Sequence, residues 1–595
     1  MHDTSPAAMA AAWLAMLGNA LDNADVDAAL DLFVEDCYWR DFVAFTWNIK
    51  TLEGKPAIAD MLRATQATAR PAAWHVSSAS GSHKDMIQAW FSFTTAVGQG
   101  QGIFTLVGGK CRTILTTLQS LDGFEEASGP TRAKGIDHRA DRNRETWLER
   151  RAREEAAFAD GTSDPYCLII GGGQGGIMLG ARLKQIGVPA VIVEKNERAG
   201  DSWRNRYRSL VLHDPVWYDH LPYIPFPEHW PVFTPKDKMG DWLEAYVKLM
   251  ELTYWGSTAC VSAKFDSTEK RWTVDLIRDG KPLTMHPTQL VFATGAYGPP
   301  KFIEFEGAGE FKGEIIHSSQ YSEGSPYRGK KAVVIGAASS AHDISVDLWE
   351  AGADVTMVQR SPTTVIRSET LMELGFDLYS QEAVQRGIDV DKADMLAAAV
   401  PFALQPTLQR QVTDRIRERD ADFYRRLEDT GFLLDFGEDD TGLMMKALRT
   451  GSGYYLDVGA TQLIIDGEIK VKSGVEIRKM TPDGILFSDG TEIEAELIIQ
   501  STGFHSMHEV VATIVSREAA DRIGTCWGLG SGVRHDPGPW HGELRNMYKP
   551  VAHENLWFQG GNLALQRFFS KYVALQLKAR MEGIDTPVYP KAPGV

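Results

Sequence analysis

Tyr166-Cys167-Leu168-Ile169-Ile170-Gly171-Gly172-Gly173-Gln174-Gly175-Gly176 is an apolar run that ends in a glycine-rich turn. Gly171, Gly173 and Gly176 fit the spacing G-x-G-x-x-G, and each glycine has its own task. Gly171 permits a tight turn, Gly173 lets backbone approach a pyrophosphate, and Gly176 lets the next helix pack close to a sheet. That helix, expected over about 177–186, directs its positive end and free N–H groups at the phosphates. A second apolar strand, 190–193, leads to Glu194, 18 residues beyond Gly176, where a carboxylate accepts hydrogen bonds from a ribose hydroxyl pair. Strand, turn, helix, strand and acid in this order predict a dinucleotide-binding α/β unit. Gln174 and Lys195, inside the turn and just past the acid, join its expected contacts.

The plan recurs downstream. Strand 331–335 runs into Gly336-Ala337-Ala338-Ser339-Ser340-Ala341-His342-Asp343, where the first glycine is kept and Ala338 and Ala341 replace the later two. A methyl at Ala338 holds a pyrophosphate slightly outward, so this second site, with Ser339 and Ser340 at its helix start, is expected to be looser. Its second strand, 354–358, ends in Gln359-Arg360-Ser361 with no carboxylate. Arg360 can pair with a 2′-phosphate that a carboxylate would repel, which favours NADPH over NADH.

A chain of 595 residues is too long for one core and predicts about three domains. The net charge of -17 argues against a nucleic-acid or acidic-membrane partner. Cys37, Cys111, Cys167, Cys260 and Cys526 are scattered with no C-x-x-C, so neither a disulfide framework nor a metal site is indicated. The first twelve residues lack a basic leader, and no apolar run approaches the length of a membrane span, so a cytoplasmic protein is expected.

Residues 1–127 precede any nucleotide signal. Helices are expected over 10–23 and 26–32, and strands over 38–45, 75–82, 87–95, 101–107 and 111–121, as one curved antiparallel sheet with helices at one end. Ala29-Leu30-Asp31-Leu32-Phe33, Cys37-Tyr38-Trp39-Arg40-Asp41 and Leu52-Glu53-Gly54-Lys55-Pro56-Ala57-Ile58 resemble the SnoaL-like, nuclear-transport-factor-like domains. That resemblance implies an α+β cone and makes Asp41 and His75 readable as a cavity base, although such domains often only pack or dimerise. Residues 128–163 are charged, with an exposed linker helix expected over 139–157.

From residue 164 onward the chain resembles the class B flavoprotein monooxygenases, comprising flavin-containing monooxygenases, plant auxin-forming monooxygenases and Baeyer–Villiger enzymes. Trp203-Arg204 and Pro225-Phe226-Pro227 match the family's run from a W-R pair to FPFP. Phe311, Gly313, His317 and Tyr321 match its fingerprint F-x-G-x-x-x-H-x-x-x-Y, which in the family is a hinge and interdomain contact. Ala293-Thr294-Gly295 and Ser501-Thr502-Gly503 match its two A-T-G strand ends, with Ser501 for Ala and Glu496 for Asp. The resemblance implies two Rossmann-like domains: an FAD-binding domain in two parts, 164–328 and 496–595, around an NADPH-binding domain, 329–495, with a substrate-selecting helical insertion at 368–450. Trp203, Arg204 and Asn562 are carried over as flavin-side contacts. NADPH would reduce FAD, dioxygen would add at the flavin C4a atom, and the resulting (hydro)peroxyflavin would oxygenate a sulfide, an amine or a ketone. His213, in a Leu210-Val211-Leu212-His213 run like that of the plant members, and Arg204 are the catalytic candidates. A reductase or oxidase passing electrons to a partner or to dioxygen is the alternative. A disulfide reductase shares the two-nucleotide plan but needs a dithiol that is missing here. A small-molecule substrate and dioxygen are the partners expected, with homodimerisation open.

Overall fold

The computed structural model describes residues 5–82, 86–135, 138, 140–295 and 297–590. Ala296 in the first strand-end turn, Arg139 at the expected start of the charged helix, and the chain's first four and last five residues lie outside the described residues.

The fold is mixed α/β with several sheets, of which one six-stranded and two five-stranded sheets carry the architecture. In the first, strands Phe33–Phe42, Ile49–Glu53, Ala72–Ser82, Met86–Thr94, Gly98–Val107 and Lys110–Leu121 meet antiparallel, except that Phe33–Phe42 runs parallel to Lys110–Leu121. The sheet is therefore mixed rather than antiparallel throughout. Helix Gly54–Ala69 and strand Ile49–Glu53 had no counterpart in the sequence reading, because Gly54, at φ +78, turns a short strand directly into a helix. Helix Pro6–Asp22, capped by Ser5, lays Trp13, Leu14, Leu17 and Leu21 on the sheet.

The strand expected over 38–45 ends at Phe42 because Val43, at φ 69, turns the chain. Buried Asp41 ties that turn down. It accepts from the Phe45 amide at 3.1 Å, the Thr46 amide at 2.9 Å and hydroxyl at 2.7 Å, and the Thr116 hydroxyl at 2.6 Å. Burial outweighs these donors and pushes its carboxyl up to about 6. These bonds make Asp41 a structural acid, not a cavity base. His75, the other base candidate, is exposed on the edge strand, with three strands between it and the strand of Asp41. The charged helix starts at Trp147 rather than near 139, where Thr146 and Glu149 form a capping box.

Both five-stranded sheets are wholly parallel. One runs Leu556–Phe558, Gln289–Phe292, Cys167–Ile170, Ala190–Val193, Tyr254–Trp255. The other runs Glu314–His317, Leu497–Gln500, Lys331–Ile335, Asp354–Gln359, Lys470–Ser473. The inner strands Cys167–Ile170, Gln289–Phe292 and Leu497–Gln500 are buried at every residue and mostly apolar, as strands covered on both faces must be. The parallel pair Thr364–Arg367 and Tyr454–Asp457 brackets the helices of the insertion.

Helix Leu563–Met581 is buried on most of its surface, more than the amphipathic helix of a surface element would be. It packs on helix Gln174–Gln185 on one side and the six-stranded sheet on the other. Phe42 stands 5.4 Å from Phe569 and 5.2 Å from Tyr572, ring centre to ring centre, so the front sheet and the first nucleotide unit share one continuous core.

Candidate active site

The first glycine corner is built as its spacing requires. Gly171 has φ +107, and a side chain there would meet the Ala293 carbonyl oxygen at 2.4 Å. A Cβ on Gly176 would lie 2.0 Å from the Gly171 carbonyl oxygen. In front of Gly173, by contrast, only the Ser202 side chain comes within reach, at 3.5 Å. Two glycines thus close the turn and the third keeps a space open ahead of the helix start, which is Gln174 rather than Ile177. The buried Ser202 Oγ and Thr294 Oγ1 beside this corner have no hydrogen-bond partner among the described residues. Orphaned donors around an open helix N-terminus suit the pyrophosphate of FAD.

Glu194 is 7% exposed and accepts from the Gly172 amide at 2.8 Å and from the Asn196 amide and side chain at 2.9 and 2.7 Å. A carboxylate offers about four acceptor directions, so one remains for a ribose hydroxyl. Lys195 is exposed beside it. Trp203 donates its indole N–H to Gln174 at 3.2 Å. Asn562 caps helix Leu563–Met581 and donates to the Tyr218 hydroxyl at 3.0 Å. Gly295, at φ +111, turns the chain away at the strand end.

At the second corner Gly336 has φ +133 and Ala338 is the N-cap of helix Ser339–Glu350. Ser339 donates to the Tyr454 carbonyl at 3.1 Å. Arg360 is exposed with no carboxylate paired to it among the described residues, and the buried Ser501 Oγ, at the strand end beside Gly336, has no hydrogen-bond partner among them. These groups suit a second, phosphate-bearing dinucleotide. Thr502 turns its hydroxyl to the Lys301 carbonyl at 2.6 Å.

Both corners open onto one cavity of about 620 Å³, bordered by Gln174 and Trp203 on one side and by Ser339, Ser340 and Asp343 on the other. His213 lies between them. Its Nε2 is 3.5 Å from Asp343 Oδ1, and Tyr207 donates to Asp343 Oδ2 at 2.5 Å. Burial raises the Asp343 carboxyl, while His213 and the Tyr207 hydroxyl pull it back down. This chain of contacts runs from the segment after the first corner to the helix of the second. Sequence reasoning missed Asp343, although it lies one helical turn beyond Ser339, on the same face. It also missed Arg206, exposed at the cavity's edge, and Arg40, which enters from the front sheet.

Arg204, read as catalytic and cofactor-binding, is placed otherwise. Its guanidinium pairs with Asp201 at 3.0 Å, Asp241 at 2.8 Å and Glu244 at 2.9 Å, and it does not border the cavity. Asp201–Arg204 is a single helical turn, so when Trp203 faces the cavity the next residue points about 100° away, toward helix Lys236–Leu249.

The fingerprint forms one packed unit. A Cβ on Gly313 would meet both the Glu496 carbonyl oxygen and the Phe311 ring at under 3 Å. His317 is fully buried, its Nδ1 accepts from the Ser319 amide at 3.1 Å, and its Nε2 therefore donates to the Gly503 carbonyl at 3.0 Å. Burial lowers its pKa, and both ring nitrogens are occupied, so it is a structural contact between strand ends. Tyr321 donates to Asp347 Oδ2 at 2.5 Å.

A family model described as pyridine nucleotide-disulphide oxidoreductase matches residues 262–398. Indole-3-pyruvate monooxygenase YUCCA1 of Oryza sativa subsp. japonica is 31% identical over 370 residues, which span 62% of this chain and 79% of that protein. The chain belongs to the class B flavin-dependent monooxygenase family. Probable indole-3-pyruvate monooxygenase YUCCA9 of Arabidopsis thaliana is 29% identical over 343 residues, 57% of this chain and 75% of that protein. In fold, this monooxygenase is similar to cyclohexanone monooxygenase bound to ε-caprolactone, with a TM-score of 0.50 and 18% identity over 70% of this chain and 88% of that one. It is an FAD-containing, NADPH-dependent monooxygenase that uses dioxygen and a small-molecule substrate. Among the described residues no helix is long and apolar enough to cross a membrane.

Proposed function

We propose that this monooxygenase oxygenates a small organic molecule inside the cavity shared by the two glycine corners, with FAD at Gly171–Gly176 and NADPH at Gly336–Ser340. The single observation that carries this reading is that Gln174 and Trp203 border the same space as Ser339 and Ser340. When bound, the flavin supplies dioxygen activation with electrons drawn from NADPH. The protein's own residues do the rest. Asp343 holds His213 through Nε2, which leaves Nδ1 for a hydrogen bond to an occupant of the cavity. Leu210, Leu212, Trp527, Phe402 and Phe568 line the walls and exclude water. Arg360 is the partner of a 2′-phosphate, giving preference for NADPH, and Glu194 the partner of the FAD ribose.

Residues 1–127 are proposed to be a SnoaL-like domain that closes the cavity, 128–163 a linker, 164–328 with 496–595 the FAD-binding domain, and 329–495 the NADPH-binding domain. Both are read as Rossmann-like. Arg40 supports the closing role: it borders the cavity, donates to the Ala398 carbonyl of the insertion at 2.7 Å and forms a buried bidentate pair with Glu543 at 2.6 and 2.7 Å. A cytoplasmic location and a homodimer complete the proposal. Sulfides, amines, ketones and 2-oxo acids such as the indole-3-pyruvate named for the plant relatives define the panel to test. Product carrying label from ¹⁸O₂ in step with NADPH consumed supports the reading; NADPH oxidised with hydrogen peroxide as the sole product across the panel rejects it.

A further inference from the structure

Five carboxylates border the cavity, and three of them have partners. Asp343 is held by Tyr207 and His213, Asp377 pairs with Arg386 at 3.1 Å, and Asp394 takes both arms of buried Arg567 at 2.7 and 2.9 Å. The other two, Asp214 and Asp219, have no hydrogen bond or ion pair on their carboxylates among the described residues, and only the longer-range charges of His213 and Arg567 favour their ionised forms. Asp214 is half-buried and makes no hydrogen bond or ion pair among the described residues. Asp219 is 1% exposed, and neither of its carboxylate oxygens has a hydrogen-bond partner among the described residues. The one cation close to Asp219, Arg567, is already committed to Asp394 and to the Tyr218 and His220 carbonyls.

A buried carboxylate without a donor is costly, and two that share a site repel each other. Burial pushes the Asp214 carboxyl up to about 6 against the pull of His213, and burial together with the Asp214 charge raises Asp219 well above the usual carboxylate range against the pull of Arg567. A positive ligand relieves both penalties. Two carboxylates are too few for a calcium or magnesium cage, and among the described residues no group of three or more His, Cys, Asp and Glu is placed to hold a metal ion. The walls suit an organic cation instead. The Tyr218 ring meets the Tyr379 ring edge-on at 4.8 Å and the Phe376 ring at 5.3 Å, and Tyr454 also borders the space; aromatic faces attract organic cations.

We infer that Asp214 and Asp219 form a cation-binding subsite of the substrate cavity, and that the substrate carries a protonated amine or a similar organic cation rather than the carboxylate of a 2-oxo acid. This rests on the cavity being the substrate site of the proposed function, and it separates this chain from its plant relatives by charge. Arg40, which enters the cavity from the front sheet, is neutralised by Glu543 and so offers no counter-charge to an anionic substrate, and Arg206, the other arginine bordering the space, stands exposed at its edge.

The test is equilibrium titration of the flavin-loaded protein, without NADPH, with 2-phenylethylammonium and with 3-phenylpropanoate, two probes of similar size and opposite charge, followed by tryptophan fluorescence. The cation is expected to bind at least about tenfold more tightly than the anion, and Asp214→Asn and Asp219→Asn are each expected to remove most of that preference. Equal affinities, tighter binding of the anion, or an unchanged preference in both folded variants would overturn the inference. So would loss of bound flavin from Asp214→Asn with the cation preference intact. The comparison on the parent protein needs no variant to fold, and it needs no turnover. Failure of the monooxygenase reading would show separately, as a colourless preparation that does not oxidise NADPH.

Discussion

Single atoms decide what each glycine of the first corner tolerates. Gly176→Ala puts a methyl 2.0 Å from the Gly171 carbonyl oxygen, and no side chain there can move aside, so loss of soluble, cooperatively folding protein is expected. Gly173→Ala has room and an ordinary φ of −73, so it should fold normally and retain less flavin after gel filtration. A Gly173→Ala protein that keeps its full yellow colour would remove the pyrophosphate from this spot. His213→Ala should raise hydrogen peroxide released per NADPH consumed, and an unchanged ratio would deny the imidazole a role at the cavity. The glycines were legible because each answers to local backbone geometry. Arg204 was misplaced for the opposite reason: its position follows from the phase of a four-residue helix and from Asp241 and Glu244, 37 and 40 residues away. Asp343 was missed because its partner His213 comes from the segment that follows the other glycine corner.

Elements meet at contacts that the local pattern does not announce. Arg40 on a front strand and Glu543 near the C-terminus, 503 positions apart, are 3% and 2% exposed and form one bidentate pair. Removing one partner strands a buried charge, so Glu543→Leu should cost about 3–5 kcal/mol. The double change Arg40→Met with Glu543→Leu should recover most of it in denaturant melts; equal losses in single and double variants would show that the pair is not coupled. On helix Ser339–Glu350, His342 is fully buried, stacked 4.0 Å from Tyr455, and burial lowers its pKa to about 4. The unfolded chain therefore binds a proton that the folded chain refuses between pH 6.5 and 4. Its contribution is present above pH 6.5 and is lost as pH falls toward 4, by about 3 kcal/mol in all. His342→Phe should flatten that part of the stability-against-pH curve, measured by thermal unfolding, and parallel curves for variant and parent would contradict the assignment. Helix and strand existence was legible from periodicity in most of the front unit. Boundaries shifted where a turn residue or a cap intervened, as at Val43 and Thr146.

At the scale of the whole molecule, the front six-stranded sheet and the unit of the first glycine corner share one core, with Phe42 against Phe569 and Tyr572, and Tyr589 near the C-terminus donates its amide to the Thr46 carbonyl at 2.8 Å. Neither unit exposes the face it buries here, so separate expression of residues 1–127 should yield protein prone to aggregation, read by light scattering. The two glycine corners were legible from the sequence as turns between strand and helix, but their common cavity was not, because it depends on how two parallel sheets, the helices between Arg367 and Tyr454 and the front sheet are set against one another. That shared space is the account's central claim. The direct test is to mix the flavin-loaded protein with NADPH without oxygen, then admit ¹⁸O₂ with each member of the panel of sulfides, amines, ketones and 2-oxo acids. The account predicts that NADPH bleaches the flavin and that one labelled oxygen atom enters the product for each NADPH consumed. A flavin that NADPH leaves yellow, or a bleached flavin that returns to yellow while all the label leaves as hydrogen peroxide, would contradict it.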